Sequence, residues 1–198
     1  MQKRQKRASE KRLRLVEAGA ELFHRRGFEG ASLADVAKAA GVPPGGVFYH
    51  FPSKADLADA VMAHHDAHFA AQLERIEAET GDPRQRLRRF WEGAEALAQA
   101  RAERGCPVLA LAADMAADPA RPARAQQQRE LVMRHTIGWL AEQYRALGLQ
   151  DEAADTAGAA LFAAMQGAFA EGHVLGDAGL IRRLFGETRK QQEKAGYL

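Results

Sequence analysis

The 198-residue sequence predicts an all-α protein of about nine helices. Apolar residues recur at the i, i+3, i+4, i+7 spacing of a helix face along the chain. Ala, Leu, Glu, Arg and Gln, which favour helices, fill the segments between short Gly and Pro breaks, and no alternating strand pattern competes. A chain of this length can bury a sizeable core.

The first helix is predicted over residues 9–26. Leu15, Gly19, Leu22 and Phe23 form its apolar stripe, and Arg25, Arg26 and Gly27 mark its end. Ahead of it, MQKRQKRASEKRLR carries Lys3, Arg4, Lys6, Arg7, Lys11, Arg12 and Arg14 against the single acid Glu10. Such a run is commonly a solvated tail. Beside a DNA-binding head it becomes an arm that follows the phosphate backbone or enters the minor groove.

Residues 32–54, SLADVAKAAGVPPGGVFYHFPSK, read as two short helices joined by a tight turn. Ser32 caps the first helix, with Asp35 at its third position. Leu33, Val36, Ala37 and Ala40 share a buried face, and Gly41 permits the left-handed turn that stops the helix. Pro43 or Pro44 starts the second helix and Pro52 ends it. Val47 and Phe51 face the core, which turns Phe48, Tyr49 and His50 outward. These rings either pack against a neighbouring helix or meet a partner. Gly45 and Gly46 lack side chains, so this helix N-terminus can approach a phosphate closely. Tyr49, His50 and Lys54 supply further donors, and Ser53 with Asp56 caps the following helix, which fixes Lys54 at a helix start.

The run AxxLFxxxGFEGASLADVAKAAGV over residues 18–42, followed by YHFPSK over residues 49–54, resembles the N-terminal helix-turn-helix domain of the TetR family of bacterial transcription regulators. The resemblance implies that Ser32, Gly45, Gly46, Phe48, Tyr49, His50 and Lys54 form the DNA-binding set and that Phe28 packs beneath the second helix. It implies a DNA-binding domain over 1–52 with a basic N-terminal arm, and an effector-binding and dimerisation domain over 53–198. The chain departs from the usual pattern at Pro44, Gly46 and Phe48, where family members often carry polar residues or Tyr.

Charge divides the same way. Residues 1–54 carry a net +6 and the remainder a net −4, a basic head on an acidic body. The sequence has no apolar run of about 18 residues and no signal-peptide pattern, so a cytoplasmic protein is expected. Its single cysteine permits no intramolecular disulfide and no Cys-based zinc site. No cofactor is expected.

Past Lys54 the breaks at Gly81-Asp82-Pro83, Gly105-Cys106-Pro107, Asp118-Pro119, Gly148 and Gly176 to Gly179 delimit about six helices. The helix over 53–79 is expected to join head to body without a flexible hinge. Within 155–174, Ala159, Phe162, Ala163, Gln166, Phe169, Ala170 and His173 form a broad stripe. Taken with the resemblance, it implies a homodimer interface at Phe162, Gln166, Phe169 and His173, and so two recognition helices on a palindromic double-stranded DNA operator.

Cys106 reads two ways. As the residue before Pro107 it can cap a helix start, where the dipole and Arg104 favour a reactive thiolate; equally, it can fill a buried gap as a small apolar side chain. The Gly-Cys pair resembles a subset of the family, some of whose members sense electrophiles or oxidants. Phe69, Trp91, Met115, Trp139, Met165 and Phe169 are the other candidate lining for a small-molecule effector, although such residues also build cores. His64 and His68 lie at i, i+4 with His65 between them, but spacing supplies no third ligand, so they read as surface or pocket residues and not as a metal site.

Two rival classes remain. An all-helical enzyme would use Cys106 as nucleophile, but the chain has no phosphate loop, HExxH pair or nucleophile elbow. An architectural protein would use the same head without sequence preference. The favoured expectation is a homodimeric repressor released from its operator by a small organic or electrophilic molecule.

Overall fold

The computed structural model describes the backbone of residues 2–116 and 122–198 and the side chains of residues 5–116 and 133–198. The described residues are all-α, as expected, with ten helices and no strand. They are α1 (Gln2–Arg26), α2 (Leu33–Ala39), α3 (Pro44–His50), α4 (Lys54–Glu79), α5 (Pro83–Glu95), α6 (Ala98–Arg104), α7 (Pro107–Ala116), α8 (Pro122–Ala146), α9 (Asp151–Leu175) and α10 (Ala178–Lys194). The expected break at Asp118-Pro119 lies outside the described residues.

Two differences from expectation have local causes. The first helix begins before residue 9: the Ser9 hydroxyl donates back to the Gln5 and Lys6 carbonyls at 3.0 and 3.1 Å, and α1 runs through it from Gln2. The basic segment is therefore part of the helix. The second difference is an additional break between α5 and α6, where no Gly or Pro stands. Leu97 N–H donates to Ala94 at 3.0 Å, and the helix restarts with Arg101 N–H donating to Leu97 at 2.9 Å. The break lets α5 bury Leu87, Phe90, Trp91 and Ala94 while α6 buries Ala98 and Ala102 in a new direction.

The chain forms two compact units, Met1–Ala67 with Pro107–Glu130 and His68–Cys106 with Leu131–Leu198. In the first, Leu15, Val16, Val36, Ala37, Val47, Phe51, Leu57 and Val61 are buried around the helix-turn-helix. Gly19 brings α1 onto α4, since a Cβ there would meet Leu57 Cδ2 at 3.2 Å. This unit holds more than residues 1–52, because α7 packs on α1 and Phe28 N–H donates to Asp114 Oδ2 at 2.7 Å.

In the second unit Trp91 is the centre of the core. It is 1% exposed, stacks on Phe185 with ring centroids 4.3 Å apart, and donates its indole N–H to the Phe185 carbonyl at 3.1 Å. Phe169 packs on the same ring at 5.4 Å. Gly172 lets α9 and α10 approach closely, because a Cβ there would lie 2.2 Å from Ile181 Cγ1. The left-handed Gly176, with φ of 64°, ends α9, and Asp177 caps α10 by accepting from Leu180 N–H at 2.9 Å.

Candidate nucleic-acid interface

Each helix of the turn is held by its own chemistry. Ser32 and Asp35 form a reciprocal capping box: Asp35 N–H donates to Ser32 Oγ at 3.1 Å, and Ser32 N–H donates to Asp35 Oδ2 at 3.0 Å. The Ser32 hydroxyl, which donates to Asp35 Oδ2 at 2.6 Å, and then the Ser32 N–H hold the Asp35 carboxyl below the usual carboxylate range. Ser53 and Asp56 repeat the device at the start of α4, at 3.0 and 3.1 Å. Gly41, with φ of 63°, makes the turn, and Pro44 at the first turn of α3 costs no hydrogen bond.

The helix α3 is two turns long and sharply two-sided. Val47 and Phe51 are 0% and 2% exposed, while Phe48 and Tyr49 are 58% and 81% exposed. The Tyr49 and His50 rings meet edge to face with centroids 5.0 Å apart. His50 is half-buried, and burial, reinforced by the charges of Arg12 and Lys11, holds its pKa below the ordinary 6.5. The Arg12 guanidinium stands 5.0 Å from the Phe51 ring centroid. Sequence reading treated these cations as part of an arm and did not link them to His50.

The two glycines have different surroundings. Nothing lies within 4 Å of where a Cβ would stand on Gly45, so the N-terminus of α3 is open to close approach there. At Gly46 that Cβ would lie 2.9 Å from Val42 Cγ1, so this glycine serves the packing of the turn. Lys54 is turned inward. Its ammonium donates to the Phe28 carbonyl at 3.0 Å, pairs with Glu29 at 3.4 Å and lies 4.3 Å from the Phe28 ring centroid. Phe28 is 6% exposed beneath it and packs on Phe23. Ser32, Gly45, Phe48, Tyr49 and His50 thus share the exposed rim of the helix-turn-helix with the start of α4.

Four of the effector candidates, Trp91, Trp139, Met165 and Phe169, lie in one buried cluster of the second unit. Trp91, Met165 and Phe169 are buried core in the second unit, whereas Met115 is buried in the first and Phe69 is half-buried on α4. Trp139 alone among them lines a cavity of about 280 Å³ between α4 and α8, with Leu73, Glu74, Glu77, His135 and Glu142. Its indole N–H donates to Glu77 Oε1 at 2.9 Å. Cys106 is half-buried after Gly105, whose φ is 70°. Burial pushes the Arg101 guanidinium down in pKa. Arg101 Nε and Gln166 Oε1 are buried without a hydrogen-bond partner among the described residues.

Within the stripe expected to pair two chains, Ala159, Ala163, Ala170 and His173 are exposed, Phe162 and Gln166 are half-buried, and Phe169 is 4% exposed. His173 Nδ1 also bonds the Ala102 carbonyl at 3.1 Å. The exposed face of α9 extends from these residues to Ala160, Gly167 and Val174. Helical periodicity identifies a stripe of small and apolar residues but not which neighbour covers it. Among the described residues no helix is long and apolar enough to cross a membrane.

A short helix with a buried inner edge and an exposed aromatic outer edge, following a capped helix across a glycine turn, defines a helix-turn-helix. Residues 15–61 match the family described as bacterial regulatory proteins, tetR family. The chain is 39% identical over 62 residues to the HTH-type transcriptional regulator TtgR of Pseudomonas putida, covering 31% of this chain and 30% of TtgR. It is 34% identical over 107 residues to the transcriptional regulator AcuR of Cereibacter sphaeroides, covering 53% and 49%. These matches span about a third and about half of the relatives' lengths. The crystal structure of the regulatory protein TetR from Rhodobacter sphaeroides superposes with a TM-score of 0.73 at 26% identity, over 88% of this chain and 96% of that one. The tetR-family match thus covers the helix-turn-helix segment of the chain, and the whole described fold is similar to that of a TetR regulatory protein.

Proposed function

We propose that this chain is a cytoplasmic transcription regulator that binds a palindromic double-stranded DNA operator as a homodimer and represses until a small organic or electrophilic molecule releases it. One observation carries the DNA half. Phe48 and Tyr49 stand exposed on a helix whose opposite edge is fully buried, beside an open glycine at its N-terminus. Exposed rings and free N–H groups in that arrangement suit a phosphate backbone and base edges in a major groove. The basic charge of residues 1–54 supports the same partner.

The dimer is supported by the exposed small-residue face of α9, which ends in Val174 at 82% and Leu175 at 68% exposure. Small residues allow two helices to approach closely, and such a pair would carry two copies of α3 to successive major grooves. For the effector, Cys106 is a half-buried free thiol immediately before α7, with Arg101 and Arg104 on the preceding helix, and this supports a thiol that reacts with electrophiles. The proposal involves no catalytic step and no cofactor.

Fluorescence anisotropy on the DNA flanking its own coding region, against unrelated DNA of equal length, tests the reading. A regulator prefers its site by at least about a thousandfold. Equal binding to both duplexes with a steep salt dependence defeats it and leaves an architectural protein. N-ethylmaleimide added to the complex should release the wild type and not Cys106→Ser; release of both removes Cys106 from the mechanism.

A further inference from the structure

The second unit holds a cavity that neither the helix-turn-helix nor Cys106 uses. It measures about 280 Å³ and lies between residues 70–77 of α4 and residues 134–142 of α8. Its floor is apolar: Leu73 and Trp139 are buried there, and Phe90 packs on the indole with ring centroids 5.9 Å apart. Its rim is acidic. Glu74 and Glu77 from α4 and Glu142 from α8 are exposed around it, and none of the three is ion-paired among the described residues. Against these three carboxylates the lining sets the guanidinium of Arg134, so with His135 neutral the wall carries an excess of negative charge. Glu74 and Glu77 stand at i, i+3 on one helix, where like charges repel.

Gly138 marks the space as more than a gap in packing. It lies inside α8 and lines the cavity, and a Cβ built on it would meet nothing within 4 Å. No neighbour therefore demands a glycine there, although glycine weakens a helix interior relative to alanine. Its missing side chain provides room. An apolar cavity of about 150 Å³ holds one benzene ring, so about 280 Å³ admits a ring with a short charged substituent. The indole N–H donates to Glu77 Oε1 at 2.9 Å, which fixes one carboxylate beside the aromatic floor. Among the described residues no group of three or more His, Cys, Asp and Glu is placed to hold a metal ion, so the charge on the rim suits an organic cation instead.

We propose that this cavity binds a small organic cation, a ring-bearing ammonium whose charge sits among Glu74, Glu77 and Glu142 while its apolar part lies on Trp139. An acid-lined cleft with apolar walls concentrates cations, and tryptophan is the strongest aromatic partner for one. The site is separate from Cys106. In making its guest an effector the proposal rests on the regulator reading above, and it names a chemistry for that effector: reversible capture of a charged amine, with no covalent step.

Isothermal titration calorimetry of the full-length protein without DNA reads the site directly, with benzyltrimethylammonium, benzyl alcohol and phenylacetate as probes. The cation should bind at least about tenfold more tightly than the neutral alcohol, and the anion more weakly than either. Glu74→Gln/Glu142→Gln should lower the affinity for the cation about tenfold at an unaltered melting temperature. Gly138→Leu, which fills the cavity from a position with open space around it, should abolish binding without lowering the melting temperature. Equal affinity for cation and alcohol, or cation binding unchanged in both variants, overturns the site. The cation is then added to the complex with the flanking duplex in the anisotropy assay. Release of the wild type and not of Gly138→Leu supports the effector role, whereas cation binding without release keeps the site and removes that role. Selective DNA binding by a protein that ignores the cation removes the site and leaves the regulator.

Discussion

Replacing Tyr49 with alanine separates recognition from stability. Tyr49 is 81% exposed, so its truncation removes almost no packing and should change folding by less than about 0.5 kcal/mol. If its hydroxyl donates to a DNA phosphate, the loss is that of a hydrogen bond to a charged group, about 1.5–3 kcal/mol. This corresponds to a Kd raised about tenfold to about a hundredfold. Val47, two residues earlier on the same helix, is 0% exposed. Val47→Ala should cost about 2 kcal/mol of folding from lost burial and an incompletely closed cavity, or about 4–8 °C in Tm for a chain of this size. Anisotropy and thermal unfolding on the two variants give the contrast. Wild-type affinity in Tyr49→Ala refutes the assignment of the outer face of α3 to DNA. An affinity loss accompanied by the same fall in Tm as Val47→Ala shows instead that the ring supports the fold.

Gly45 and Gly46 should respond oppositely. Gly46→Ala drives a methyl to 2.9 Å from Val42 Cγ1 and should destabilise by about 1–3 kcal/mol in chemical denaturation, whereas Gly45→Ala meets open space and should raise stability by a few tenths to about 1 kcal/mol while weakening DNA binding. His50 is neutral at pH 7 because burial, then Arg12 and Lys11, hold its pKa below 6.5. A nearby phosphate favours the protonated ring, so DNA affinity should rise as the pH falls from about 7.5 to about 5.5, and His50→Gln should flatten that rise. Folding takes the opposite sign: with the folded pKa depressed, the contribution of His50 is present above pH 6.5 and is lost as the pH falls below it. Trp91→Phe leaves the Phe185 carbonyl without its donor and should cost about 1–3 kcal/mol, against about 3–5 kcal/mol for Trp91→Ala, both read from denaturant midpoints.

The helix-turn-helix was legible because its determinants are local. Ser32 with Asp35 and Ser53 with Asp56 lie three residues apart, and each pair closes the cap that its spacing predicts. Gly41 turns left-handed where a stop was expected, and Val47 and Phe51 are buried four residues apart. The true start of α1 was not legible because no apolar stripe marks it: the exposed turns ahead of Leu15 continue the helix back to Gln2, and the Ser9 hydroxyl bonds carbonyls one turn back. The break at Ala96–Leu97 carried no Gly or Pro signal, since it follows from how α5 and α6 each reach the core.

Residue types and their periods determined by themselves that the chain is helical, that residues 32–54 form a capped two-helix turn, and that cationic charge gathers in the first quarter. These depend on bonds and dihedral angles within a few residues of one another, which a linear sequence contains. The tertiary structure decided what distant side chains do to each other. It turned Lys54 onto the Phe28 carbonyl, buried Phe169 against Phe185, tied His173 to the Ala102 carbonyl, and laid the Arg101 guanidinium over the Phe169 ring. It also joined the basic segment to the flank of α3 through Arg12 and Arg14. Periodicity places a side chain on a face of its helix, but the partner of that face is chosen by packing between segments far apart in the chain, where burial, charge and close approach are settled together.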